Sequence, residues 1–154
     1  MKIIGIIIIS FCCCLSGILY AKKEKQRLDI LCEVEKLIRF MVVRISDYRQ
    51  EIFGIFADFE SKLLDDCGFS SALCQSWEKA IMTLSCPPVI QKELVLLGDG
   101  LGMKNSQDQI ECCQRCLKAI EGYIAEEKRT LHAKLKIYIC LGFSIGAVIL
   151  IIAI

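Results

Sequence analysis

Residues 96–109 read LLGDGLGMKNSQDQ, with glycines at 98, 100 and 102 followed by a polar run. The stretch is either a phosphate-cradling loop or a corner between two helices, and the choice decides the fold. A phosphate loop needs G-x-x-x-x-G-K-[ST], with a lysine and a hydroxyl placed for phosphate and magnesium. Here Gly98 and Gly102 are too close together, Met103 and Lys104 follow, and no hydroxyl comes directly after the lysine. A dinucleotide fingerprint needs a strand in front of it, whereas the residues before Gly98 have helical spacing. The corner accounts for more. Gly98 or Gly102 is expected at positive φ, ending one helix in the left-handed conformation that a residue without Cβ adopts freely. Asn105 or Ser106 is expected to cap the next helix, with Ser106-x-x-Gln109 as a capping box. Gly98, Leu101, Gly102, Asn105, Ser106 and Gln109 are therefore read as a structural corner that binds no nucleotide.

Working outward from the corner, helical spacing recurs on both sides and nothing alternates like a strand. Leu31, Val34, Ile38, Met41, Ile45 and Tyr48 repeat at three and four, the seam of a long amphipathic helix. Ile52, Phe56, Phe59 and Leu63 continue it after a kink, and DDCGFSS at residues 65–71 interrupts it. Leu73, Trp77, Ala80 and Leu84 form a third helix stopped by Pro87 and Pro88, and Ile90, Leu94 and Leu97 a fourth. Trp77, the one tryptophan, is read as a core residue against the first and last helices. After the corner, Ile110, Cys113, Leu117, Ile120 and Ile124 begin the longest helix, whose apolar spacing weakens near residues 126–128. The expected fold is all-α, an antiparallel helical bundle.

The two ends have a different composition. Residues 3–21 and 137–154 contain no charged side chain. As helices each run spans roughly 27–28 Å, close to the ~30 Å hydrocarbon core of a bilayer. Both are read as transmembrane helices, so the domains are an anchor at 1–21, a helical bundle at 22–136 and a second membrane helix at 137–154. A cleaved signal fits poorly, because Lys2 stands alone in front and ILYA has leucine where a small residue is needed. The chain has 19 basic and 18 acidic residues. Without Lys2 the middle segment balances at 18 and 18, which argues against nucleic acid, whose binding needs a basic surface. Lys22, Lys23, Lys25 and Arg27 follow the first run, and Lys134 and Lys136 precede the second. Basic residues stay on the cytoplasmic side, so the bundle is expected in the cytoplasm with both termini across the membrane.

Eleven cysteines raise metal and thiol chemistry. Cys113-x-x-Cys116 is half of a zinc pattern without a second knuckle, and the single histidine, His132, lies several helical turns further on. The favoured reading is reduced cysteine packed as a small hydrophobe. A membrane-bound thiol-redox or metal protein using Cys113, Cys116 and His132 is the alternative, and a pore-forming protein a third. No nucleophile has a base at recognisable spacing, so no catalytic residue, cofactor, metal or small-molecule substrate is assigned.

LLGDGLG, the Asn105 and Gln109 that follow, and SWEKAI at residues 76–81 resemble the stage III sporulation protein AB family of endospore-forming bacteria. That family's corner reads L-G-x-x-L-G with an aspartate three residues later. Gly98, Leu101 and Gly102 match it, and Asn105, an equally good cap, stands at the aspartate. The resemblance implies a likeness to the cytoplasmic helical domains of type II secretion and type IV pilus platform proteins. It implies a non-enzymatic adaptor in a secretion-like channel complex of the mother-cell membrane facing the forespore. The implied partners are that complex's cytoplasmic ATPase, stage III sporulation protein AA, and its other membrane components.

Overall fold

The computed structural model describes residues 2–48, 52–101 and 105–153; within these, the side chains of 2–11, 13, 14, 47, 48, 52, 53, 132, 142, 146, 149, 150, 152 and 153 are outside the description. Every regular element among the described residues is helical. In chain order these are α1 (Lys2–Val43), a π-helical turn (Arg44–Tyr48), α2 (Ile52–Ala57), α3 (Lys62–Asp66), α4 (Phe69–Leu73), α5 (Trp77–Thr83), α6 (Pro88–Gly100) and α7 (Ser106–Ala153). They form two compact units. One comprises Met1–Leu28 with Glu126–Ile154, the other Asp29–Ala125. In α7 the division falls where the apolar spacing weakens.

The unit Asp29–Ala125 has an ordinary hydrophobic core. Leu31, Val34, Leu37, Ile38 and Met41 are buried along α1 and Ile45 in the π-helical turn after it, Ile90, Leu94 and Leu97 along α6, and Cys113, Cys116, Ile120 and Ile124 along α7. Full burial of each large aliphatic chain is worth about 1.5–3 kcal/mol, so this seam supplies the main cohesion. Polar ties fix the register around it. Arg39 bonds Glu121 of α7 at 2.5 Å, and Glu93 of α6 lies 4.0 Å from Arg115 of α7. The buried Ser61, which precedes α3, donates its hydroxyl to Glu33 of α1 at 3.0 Å instead of capping its own helix. The Lys36 ammonium, 2.6 Å from Glu33, holds that carboxyl below its usual 4.5; burial opposes this, and the Ser61 hydroxyl adds to it. With a depressed folded-state pKa, the contribution is complete above pH 4.5 and is lost as pH falls through the folded value.

Several expected elements shift. The seam after the kink runs through Ile55 and Leu64, both nearly inaccessible, while Phe56, Phe59 and Leu63 are half-buried. Tyr48 and Ile52 lie outside the described side chains. The third helix is two: α4 ends at Leu73, and α5 begins after Ser76, whose hydroxyl accepts the Lys79 amide at 3.2 Å. A serine cap starts a new helix in the middle of what reads as one apolar stripe. Pro88 occupies the first turn of α6 with Pro87 as its cap, so the proline pair opens that helix, where a missing amide costs nothing.

In the unit formed by Met1–Leu28 and Glu126–Ile154, Ala21 and Leu28 are buried and Tyr20 meets Tyr138 edge-on at 4.7 Å. Lys134 holds Glu127 at 2.8 Å. Leu15, Leu19, Ile137, Leu141, Phe143 and Ile151 are exposed. The two apolar runs are not helices of their own; they are the ends of α1 and α7, and among the described residues no helix is long and apolar enough to cross a membrane. The described side chains make up only part of either run, most of residues 3–21 lying outside them.

Gly68, at φ 80°, separates α3 from α4. Gly68→Ala is expected to lower stability by about 1–2 kcal/mol, the cost of a left-handed Cβ. Gly122→Ala, on open helix surface with nothing within 4 Å of a new Cβ, should raise it by up to about 1 kcal/mol. Thermal midpoints of the detergent-solubilised chain check this; shifts of the same sign would contradict the backbone assignment.

Candidate functional site

The glycine stretch is built differently from the expected corner. Helix α6 runs through Gly98 to Gly100 and ends at Leu101, whose extended backbone turns the chain and whose amide bonds Leu97 O at 3.1 Å and Gly98 O at 3.2 Å. Gly68 is the one positive-φ glycine among the described residues, and Gly102 lies outside them. Gly98 is therefore no left-handed cap. Its role is space: a Cβ there would stand 2.1 Å from Cδ1 and 2.7 Å from Nε1 of Trp77. The indole lies on the helix at this glycine and donates Nε1–H to the Leu94 carbonyl at 2.7 Å. That carbonyl belongs to the residue one helical turn before Gly98, and its two lone pairs allow the extra bond. Asn105 caps α7, its side-chain oxygen accepting the Asp108 amide at 2.9 Å. Ser106 is the first helical residue, so the capping position falls one residue earlier than Ser106-x-x-Gln109 implies. Gln109 is in the opening turn, its amide bonded to Asn105 O at 3.1 Å.

Trp77 is half-buried. It packs on α6, stacks on Phe56 at 5.5 Å and meets Phe69 edge-on at 6.1 Å. Its neighbours shape the site that sequence reading missed. Phe56, Phe59, Leu64, Phe69 and Leu73, with Leu37 of α1, line a cavity of about 330 Å³ that also reaches Glu60 and Asp65. Both carboxylates are exposed. Phe59 leans on Phe40 at 5.6 Å, and Arg44 sits 4.9 Å over Phe40 while pairing with Asp58 at 3.7 Å. The available signal was the set of aromatics 56, 59 and 69 interleaved with acids 58, 60, 65 and 66, which reads equally well as a core seam with a solvated face.

Cys112, Cys113 and Cys116 are buried together on α7. Burial pushes the Cys113 thiol up to about 12, aided by Cys112, and does the same to Cys116, aided by Glu93. Such thiols stay protonated at neutral pH and are poor nucleophiles. The His132 side chain lies outside the described residues. Lys22, Lys23, Lys25, Arg27, Lys134 and Lys136 all belong to the unit Met1–Leu28 with Glu126–Ile154. Of these, Arg27 and Lys134 are half-buried and the rest exposed.

Two measurements follow from this geometry. Gly98→Ala should destabilise the chain by about 1–3 kcal/mol through overpacking. In a Trp77→Ala background the same change should become neutral or stabilising, because the clash is gone and alanine favours helix; additive losses would refute the contact. For the thiols, a disulfide reagent at pH 8 should modify exposed Cys74 and leave Cys113 and Cys116 intact until the chain is denatured, since a pKa near 12 lowers the thiolate fraction about a thousand-fold relative to 9. Rapid modification of the buried pair in the folded chain would contradict it.

No curated protein and no solved structure matches this chain. The family model described as stage III sporulation protein AB matches residues 42–154, from the last two residues of α1 through the short helices, the glycine stretch and α7. With most of its length covered by that model, the chain belongs to the stage III sporulation protein AB family.

Proposed function

We propose that this sporulation protein is a non-enzymatic membrane platform that docks a cytoplasmic ATPase within a secretion-like channel complex. The observation that carries the reading is an inversion of side-chain polarity between the two units. In Asp29–Ala125 most large aliphatic residues are inside, with Ile38 and Ile120 at 0% exposure, and Val43, Met82, Val89 and Leu96 are the exposed exceptions. In the other unit most of those described are outside, Leu19 at 64% and Ile151 at 74%. Apolar surface of this extent is costly in water, at roughly 25 cal/mol per Å², and on a protein marks a partner or a membrane. Lys22, Lys23, Lys25 and Lys136, all exposed, lie next to the apolar runs in sequence, the arrangement that lipid headgroups and the positive-inside preference favour. On this reading the apolar unit sits in the bacterial cytoplasmic membrane, on the mother-cell side facing the forespore. The unit Asp29–Ala125 stands in the cytoplasm, and both termini lie across the membrane.

The ATPase assignment rests on the family, whose implied motor is stage III sporulation protein AA. A platform held at the membrane does not need a tight solution affinity, because tethering raises local concentration. The test reconstitutes the full chain into phospholipid vesicles and floats them with the purified ATPase. The ATPase is expected to float only with vesicles carrying the chain. Chain that stays with the soluble fraction would sink the membrane seat. An equal ATPase signal with empty vesicles would sink the docking.

A further inference from the structure

We propose that the aromatic cavity of the unit Asp29–Ala125 is a docking groove for a basic amphipathic helix of a partner protein. Three observations on the cavity point to this occupant, and none depends on the identity of the motor.

The first is size and lining. At about 330 Å³ the cavity is roughly twice the ~150 Å³ that accepts a benzene ring, enough for two apolar anchors. Phe56, Phe59 and Leu73 are half-buried at its wall, still offering surface to a guest. Aromatic walls of this kind dominate protein recognition.

The second is the chemistry of the rim. Glu60 and Asp65 line the cavity and are exposed, while nearby Asp58 is paired with Arg44. The neighbouring hydroxyls are already committed, Ser61 donating to Glu33 and Ser70 to Asp65. What the Glu60 and Asp65 carboxylates present is acceptor capacity with net negative charge, so the matching guest supplies donors with positive charge, lysine or arginine. A second acidic segment would meet repulsion there.

The third is the mode of docking. Every regular element among the described residues is helical, which leaves no sheet edge there for a guest strand to extend. Helix-in-groove binding, with anchors at i and i+3 or i+4 and cations on the flanks, fits both the apolar cavity and its rim.

Trp77 provides the readout. It is the only tryptophan, and it touches Phe56 and Phe69 of the wall. The full chain, held in nanodiscs of zwitterionic lipid, is titrated with a stapled Leu/Lys amphipathic helix that lacks tryptophan, and with a Leu/Glu helix of the same length. Empty discs give the lipid background. The Leu/Lys helix should shift Trp77 emission saturably and bind at least about tenfold more tightly than the Leu/Glu helix. Glu60→Lys should narrow that preference, and Leu73→Arg should weaken the Leu/Lys helix about tenfold or more by placing a charge in the apolar wall. Helicity and thermal midpoint confirm that both variants remain folded, and the peptide exchange on the unmodified chain stands without them. Equal binding of the two peptides, or no saturable shift with the Leu/Lys helix, overturns the proposal.

Discussion

The two compact units expose apolar side chains to different degrees. One hides most of its leucines and isoleucines along seams of α1, α6 and α7, and the other displays most of those described. Burial of apolar surface is the dominant favourable term in folding, so the first unit is what water produces from an amphipathic sequence. An outward-facing apolar surface has no such justification in water, whereas a bilayer requires it, since lipid tails are as apolar as leucine. The membrane seat proposed here follows from that constraint. The proposed docking role follows in turn, because a water-facing helical unit joined through the same chain to a bilayer is suited to recruiting soluble partners.

Within the water-facing unit, the short helices α2 to α5 have little cohesion of their own, for isolated helices of five to seven residues do not persist in water. They are held by side chains. Trp77 ties α5 to α6 through the Leu94 carbonyl, and its ring contacts with Phe56 and Phe69 bring in α2 and α4. The absence of a side chain at Gly98 makes room for that indole. Ser61 and Glu33 tie the start of α3 to α1. The cavity wall is thus built from the residues that keep these short helices in place, and a change at Gly98 reaches the cavity through one aromatic ring.

Much of this was legible in the sequence because helical periodicity is a strong signal. Leu31, Val34, Ile38, Met41 and Ile45 form the expected seam, and the breaks near Gly68 and the proline pair fall where helices change. Asn105 caps α7 as one of the two residues named for it. The failures share a cause. Gly98 was read by its local freedom, whereas its role comes from Trp77, twenty-one positions earlier, and no local rule contains a tertiary contact. Phe56 and Phe59 sit at seam spacing, so periodicity could not distinguish a filled core from a cavity wall. Ser76 divides one apolar stripe into two helices because a serine cap interrupts the backbone without disturbing the pattern of the side chains.

The central claim is that the exposed apolar side chains of α1 and α7 face lipid while those near α5 and α6 face water. It is tested most directly by replacing Phe143 and, separately, Met82 with a photoreactive benzophenone amino acid in cells. Both positions are exposed, at 60% and 74%, so solvent access alone does not separate them. The account predicts that illumination attaches phospholipid at position 143 and none at position 82. Lipid adducts absent from position 143, with the probe there quenched by a water-soluble reagent as readily as at 82, would contradict it.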